Sequence, residues 1–138
     1  MTTPLMVLIL FAGWTILMVL YAGFYRWKCV ITGTIPKGGF PSDVPPTEDS
    51  WYRRALQAHK NCVENLVIFA TIVGVLSFIG LDTRVLDNLA ITVIVARVLQ
   101  TLTHVFINQT RPVIMLRFSF FLVQVVSFIW MIFIILLS

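Results

Sequence analysis

Residues Leu5 to Tyr25 read LMVLILFAGWTILMVLYAGFY, with no charged side chain in the run. A helix crossing the hydrocarbon core needs about 20 mainly apolar residues. This run supplies them in one piece and is followed at once by Arg26 and Lys28. It is longer than the roughly 7–15 apolar residues of a secretory leader, and no basic segment precedes it. It therefore reads as a first membrane helix with a charged stop, not as a cleaved leader.

The rest of the chain repeats the pattern. Its 138 residues are 59% hydrophobic and only 12% charged. A soluble domain is about 45–50% apolar and about 25% charged. So small a globule could not bury the excess, because small domains leave much of their surface exposed. Lipid must cover it. Four crossings and short connectors use up the chain, which predicts one domain: an all-α integral membrane four-helix bundle, up-down-up-down. The helices are expected at about 4–25, 51–79, 85–108 and 112–137.

The connectors carry their own signals. Pro36, Gly38, Gly39, Pro41, Pro45 and Pro46 forbid regular structure between the first two helices. Thr47, Glu48, Asp49 and Ser50 offer capping oxygens and acidic first-turn groups, so the second helix should start near Ser50. That helix would be about 43 Å long, more than the roughly 30 Å core. Its polar first half should project from the lipid or line a polar cavity. Gly80 to Arg84 makes a short turn, and Pro112 suits a first helical turn, where its missing N–H costs nothing. Phe118, Phe120, Phe121, Phe128, Trp130 and Phe133 give the fourth helix a lipid-facing or packing character.

Charge sets the orientation. Arg26, Lys28, Lys37, Arg53, Arg54 and Lys60 lie at the first connection, and Arg111 and Arg117 at the third; Arg84 alone lies at the opposite end. The positive-inside rule puts both basic connections in the cytosol and both termini on the non-cytosolic side of a bacterial inner membrane or endoplasmic reticulum. The net charge of +4 reflects this topology and calls for no nucleic-acid partner. Cys29 and Cys62 make no disulfide framework and fall on the reducing side. No metal site is expected.

Polar groups inside membrane helices are costly and usually face the bundle interior. Arg53, Gln57, Asn61 and Glu64 follow steps of four, four and three, which keeps them on one helical face. Arg97, Gln100, Thr101, His104, Asn108 and Arg111 do the same on the third helix and its exit. Glu64 and Arg97 lie at about 15 and 18 Å from the cytosolic end, so they should form an ion pair or share a polar ligand. The remaining polar groups exceed what one ion pair needs. A chamber joining Gln57, Asn61, His104, Asn108 and Arg111 would suit an anionic, peptide-like ligand: basic groups meet its carboxylates and amides meet its peptide bonds.

The stretch from Arg54 to Asn65, RALQAHKNCVEN, resembles the second-helix signature of the MAPEG family, membrane-associated proteins of eicosanoid and glutathione metabolism. Arg54, Asn61 and Glu64 match it. Arg97, Gln100, His104 and Arg111 resemble the family's second motif. The resemblance implies a homotrimer with glutathione bound between subunits as co-substrate. Asn61 and Glu64 would hold the tripeptide, Glu64 through its amino group. Arg26 or Lys28, and Arg54, would meet its carboxylates, and Arg111 would sit beside the thiol as the catalytic group. Gln57, Arg97 and His104 complete the implied site. The sequence departs from the pattern at Gln57, where an arginine is usual, and at His104 and Asn65, where tyrosine is frequent. Arg117 competes with Arg111 for the thiol.

The expected function is therefore a glutathione-dependent transferase or peroxidase acting on lipophilic electrophiles in the bilayer. Two alternatives stand beside it: a non-catalytic relative that binds a lipid or a protein partner, and a small transporter. The third is weakened because the first helix carries no carboxylate and Glu64 is surrounded by donors.

Overall fold

The computed structural model describes residues 1–35, 39–40 and 51–138. Among them are four helices: α1 (Thr3–Thr32), α2 (Trp51–Ile79), α3 (Arg84–Phe106) and α4 (Arg111–Leu137). Each is long and apolar enough to cross a membrane. The chain is a multi-pass integral membrane protein built as a helical bundle. The capping run Thr47 to Ser50 and the prolines at 36, 41, 45 and 46 lie outside the described residues.

Helix α1 runs two turns past Tyr25, where the sequence suggests its end. Charge alone does not stop a helix, and nothing between Arg26 and Thr32 breaks one. The stop is Gly33, at φ 68°, a left-handed conformation that a side chain would disfavour. Thr34 N–H then reaches back to Cys29 O at 3.0 Å and satisfies a carbonyl of the last turn. Gly80, at φ 69°, closes α2 the same way, with Leu81 N–H on Leu76 O at 3.1 Å. The hydroxyl of Thr83 accepts from Leu86 N–H at 3.4 Å and opens α3.

The core draws on all four helices. Phe11, Phe69, Val73, Leu86, Ala90, Val93 and Met131 are buried together. The Phe69 ring lies 6.0 Å from Phe11 and 6.1 Å from Phe128, linking three helices through aromatic contacts. Alanines at 55, 58, 90 and 96 are buried and allow close helix approach. Tyr21, Tyr25, Trp51 and Tyr52 cluster at the opposite end of α1, with Tyr25 stacked on Tyr52 at 4.8 Å.

Helix α4 packs on α3 and more sparsely on α2, and among the described residues its backbone stays more than 8 Å from that of α1. Its outer face, with Val126, Ile129, Trp130 and Phe133, is exposed. Between α2 and α4, which pack sparsely, a gap opens over α3, and polar residues of all three helices line it.

Candidate functional site

Helix α3 supplies the floor. Arg97, Gln100, Thr101 and His104 recur at three- and four-residue steps, and all four are buried. Thr101 Oγ1 donates to Arg97 O at 2.9 Å and lies 3.7 Å from Cys62 Sγ on α2. Both cysteines of the chain are free and buried.

The gap forms a recess of about 320 Å³, within the roughly 300–1,000 Å³ usual for small-molecule sites. Asn61, Glu64 and Asn65 line it from α2, Arg97 and Gln100 from α3, and Ile114, Arg117, Phe118 and Phe121 from α4. The α4 residues follow the spacing i, i+3, i+4, i+7 of one helical face. Exposed Ile114, Phe118 and Phe121 make its wall apolar on the side away from the bundle.

Arg97 is only 2% exposed, yet its Nε and Nη2 have no hydrogen-bond partner. Its guanidinium carbon lies 5.7 Å from the centroid of Phe11, a cation–π contact that replaces only part of the lost hydration. Among the described residues no ion pair or hydrogen bond joins it to Glu64, although both groups face the same recess. The direct Glu64–Arg97 pair expected from depth is therefore not formed, because matching depth does not guarantee contact: Arg97 is enclosed by the bundle while Glu64 lies exposed at the α2 surface.

Arg117 is half-buried, with its Nη1 donating to Gln109 Oε1 and its Nε buried and unpartnered. Behind the recess, Asn65 Nδ2 donates to Gln124 Oε1 at 3.3 Å, and Gln124 Nε2 donates to Gln100 Oε1 at 3.0 Å. Gln57 Nε2 donates to Asn61 Oδ1 at 3.1 Å and fixes the amide that lines the recess.

The chain matches the MAPEG family model over residues 4–137. The protein belongs to the MAPEG family. No curated protein and no solved structure matches it. Membership brings with it a membrane-associated role related to glutathione and eicosanoid metabolism.

The residues singled out from the MAPEG motifs divide into two groups. Asn61, Glu64 and Arg97 line the recess, and Gln57 braces it. Arg26, Arg54, His104 and Arg111 lie outside it. Arg26 Nε donates to Tyr52 OH at 2.6 Å, and its guanidinium also stands over the rings of Phe40 and Tyr52. Arg54 Nε donates to Val105 O at 3.2 Å. His104 is buried on α3, and its carbonyl accepts from Gln109 Nε2. Arg111 is exposed at the start of α4. It shares a helical face with Ile114 and Phe118, but α3 ends at Phe106, and among the described residues Arg111 does not line the recess. Asn61 and Arg111 thus do not share a chamber within one protomer. The α4 guanidinium that joins Asn61 is Arg117.

Motif reading does not carry Gln100 or Asn65 into the set of site residues, although both lie in the motif-like stretches, and it misses Gln124 altogether. A signal was present: Gln124 is the one amide in an otherwise apolar run, and such a group seeks a partner inside the bundle.

Proposed function

We propose that the protein binds glutathione in the α2–α3–α4 recess and uses it in a transferase or peroxidase reaction on lipophilic electrophiles within the bilayer. The observation that carries this reading is Arg97: a guanidinium deep in the bundle, with two nitrogens lacking acceptors, opening on a recess that also holds Glu64, three amides and Arg117. A buried cation without an acceptor is costly. A ligand carboxylate or thiolate would supply the missing acceptor, the amides would meet peptide groups, and Glu64 would take the ligand's ammonium.

The chemistry follows from the charges. A free thiol has a pKa of about 8.5, and a guanidinium nearby favours its anion. The thiol proton leaves to water, and the thiolate attacks the electrophilic carbon, forming a C–S bond as the leaving group departs with its electron pair. The apolar wall of Ile114, Phe118 and Phe121 suits a lipophilic partner arriving from the membrane.

Assembly into a homotrimer is part of the proposal. Arg26, Arg54, His104 and Arg111, which lie outside the recess of a single protomer, join the site only across an interface between protomers. Both termini are assigned to the non-cytosolic side from the distribution of basic residues. A second reading, ligand binding without turnover, is favoured by the exposure of Arg111. Isothermal titration of the detergent-solubilised protein with glutathione tests the first step, and turnover with chlorodinitrobenzene tests the second. Absence of glutathione binding overturns the first reading. Binding without turnover on any electrophile or peroxide favours the second.

A further inference from the structure

Both ends of the Gln109 side chain are engaged. Its Nε2 donates to the carbonyls of Thr103 at 3.3 Å, His104 at 3.2 Å and Ile107 at 2.7 Å. These carbonyls belong to the C-terminal end of α3, where intrahelical donors run out. With its amide nitrogen tied to α3, the Oε1 of Gln109 is turned away from that helix, and it accepts a hydrogen bond from Arg117 Nη1 on α4. Arg117 lines the recess, and its buried Nε is left without a partner. A turn residue anchored to one helix end therefore holds a cation of the next helix.

An arginine near a helix end in a membrane protein ordinarily extends its charge to water. Arg111, one turn and a half earlier on α4, is exposed in this way. Arg117 instead remains half-buried at the polar recess. Besides its position relative to the end of α3, Arg117 differs from Arg111 in the acceptor that Gln109 provides.

We propose that Gln109 is a positioning residue that aims Arg117 into the recess and thereby sets the affinity of that recess for the anionic group, carboxylate or thiolate, of its ligand. The identity of the ligand rests on the glutathione reading above. Capping of α3 alone would explain the contacts of the nitrogen but not the contact of the oxygen.

Two substitutions separate positioning from capping. Gln109→Met removes both functions. Gln109→Glu keeps an acceptor for Arg117, loses the amide donors and adds a negative charge at a helix C-terminus, where it is unfavourable. A role in capping alone predicts that Glu holds the Arg117 guanidinium no better than Met. Positioning predicts that Met lowers glutathione affinity about tenfold in titration calorimetry, as expected for a charge-assisted contact. It predicts that Gln109→Met has little further effect in an Arg117→Met background. The carboxylate of Glu offsets the charge that the anion meets, so Glu is compared in a second measurement, which needs no ligand. In ¹⁵N-arginine-labelled protein in nanodiscs, the Arg117 guanidinium signal, identified by its loss in Arg117→Met, should show hindered rotation that Gln109→Met releases and Gln109→Glu retains. Equal release of the guanidinium by Glu and Met, additive effects with Arg117→Met, or a freely rotating Arg117 guanidinium in the unsubstituted protein would each overturn the proposal. If the unsubstituted protein binds no glutathione, the functional reading fails and the guanidinium signal alone decides the role of Gln109.

Discussion

Gln124 Nε2 donates to Gln100 Oε1 at 3.0 Å, joining α4 to α3 beneath the recess, and Gln124 itself is 0% exposed. The same Nε2 also donates to Phe120 O at 2.9 Å, while its Oε1 accepts from Asn65 on α2 at 3.3 Å. One side chain thus ties three helices beside the recess, two of its partners, Asn65 and Gln100, being recess-lining residues.

Replacing Gln124 by Leu should therefore destabilise the bundle. Asn65 Nδ2 and Gln100 Oε1 would be left buried without that partner, at a cost of about 1–2 kcal/mol, given that interhelical hydrogen bonds in membranes are individually modest. Thermal unfolding in detergent measures it. The triple substitution Asn65→Leu, Gln100→Leu and Gln124→Leu removes donor and acceptor together and should lie closer to the parent than Gln124→Leu does. A single Leu variant as stable as the parent would show that the amide chain contributes nothing to the fold.

Arg97 should behave in the opposite sense. It is buried, two of its nitrogens lack acceptors, and no carboxylate pairs with it among the described residues. Exchanging such a charge for an apolar side chain of similar length is often neutral or stabilising. Arg97→Met is expected to hold or raise stability by about 1 kcal/mol. Glutathione affinity is expected to fall by at least about tenfold, since a charge-assisted contact is lost. A marked drop in thermal stability would mean that the guanidinium serves the fold and not a ligand.

How far the sequence foretells this molecule depends on what each residue answers to. The four spans are readable because lipid imposes a length and a composition on every one of them. The C-terminal end of α2 at Ile79 is easy to read, since Gly80 marks it in plain view. The extension of α1 to Thr32 is harder to read, because Arg26 and Lys28 mark the edge of the lipid and not the end of the helix. Within the site, Asn61, Glu64 and Arg97 follow from helical periodicity. The exchange of Arg111 for Arg117 does not. Both arginines belong to α4, and only the end of α3 at Phe106 and the acceptor on Gln109 decide which one is enclosed.

Glu64 offers a test of ligand orientation. As the one carboxylate lining the recess among the described residues, it is the group assigned to the ligand's ammonium. Glu64→Gln should weaken glutathione about ten- to hundredfold, the usual worth of a charge-assisted contact. It should leave unchanged the affinity for an analogue lacking the γ-glutamyl amino group. Equal weakening of both ligands in calorimetry would remove Glu64 from that role.

The two α4 arginines make the sharpest comparison, because they separate a site within one protomer from one shared between protomers. Arg117 lines the recess formed by its own chain, whereas Arg111 is exposed beyond the end of α3. If the recess of one protomer is sufficient, Arg117→Ala should lower glutathione affinity about tenfold and reduce turnover, and Arg111→Ala should leave both near the parent values. If a neighbouring protomer completes the site, Arg111→Ala should reduce turnover while leaving affinity largely intact, since an interaction made mainly in the transition state shows in kcat and not in binding. Mixed assemblies then distinguish the cases further. In an oligomer co-expressed from Arg111→Ala and Glu64→Gln chains, a shared site regains activity wherever an intact Arg111 faces an intact Glu64. A site confined to one chain gives no more than the average of the two variants measured alone. Titration and turnover measured on the same preparations, with subunit stoichiometry determined alongside, decide between them.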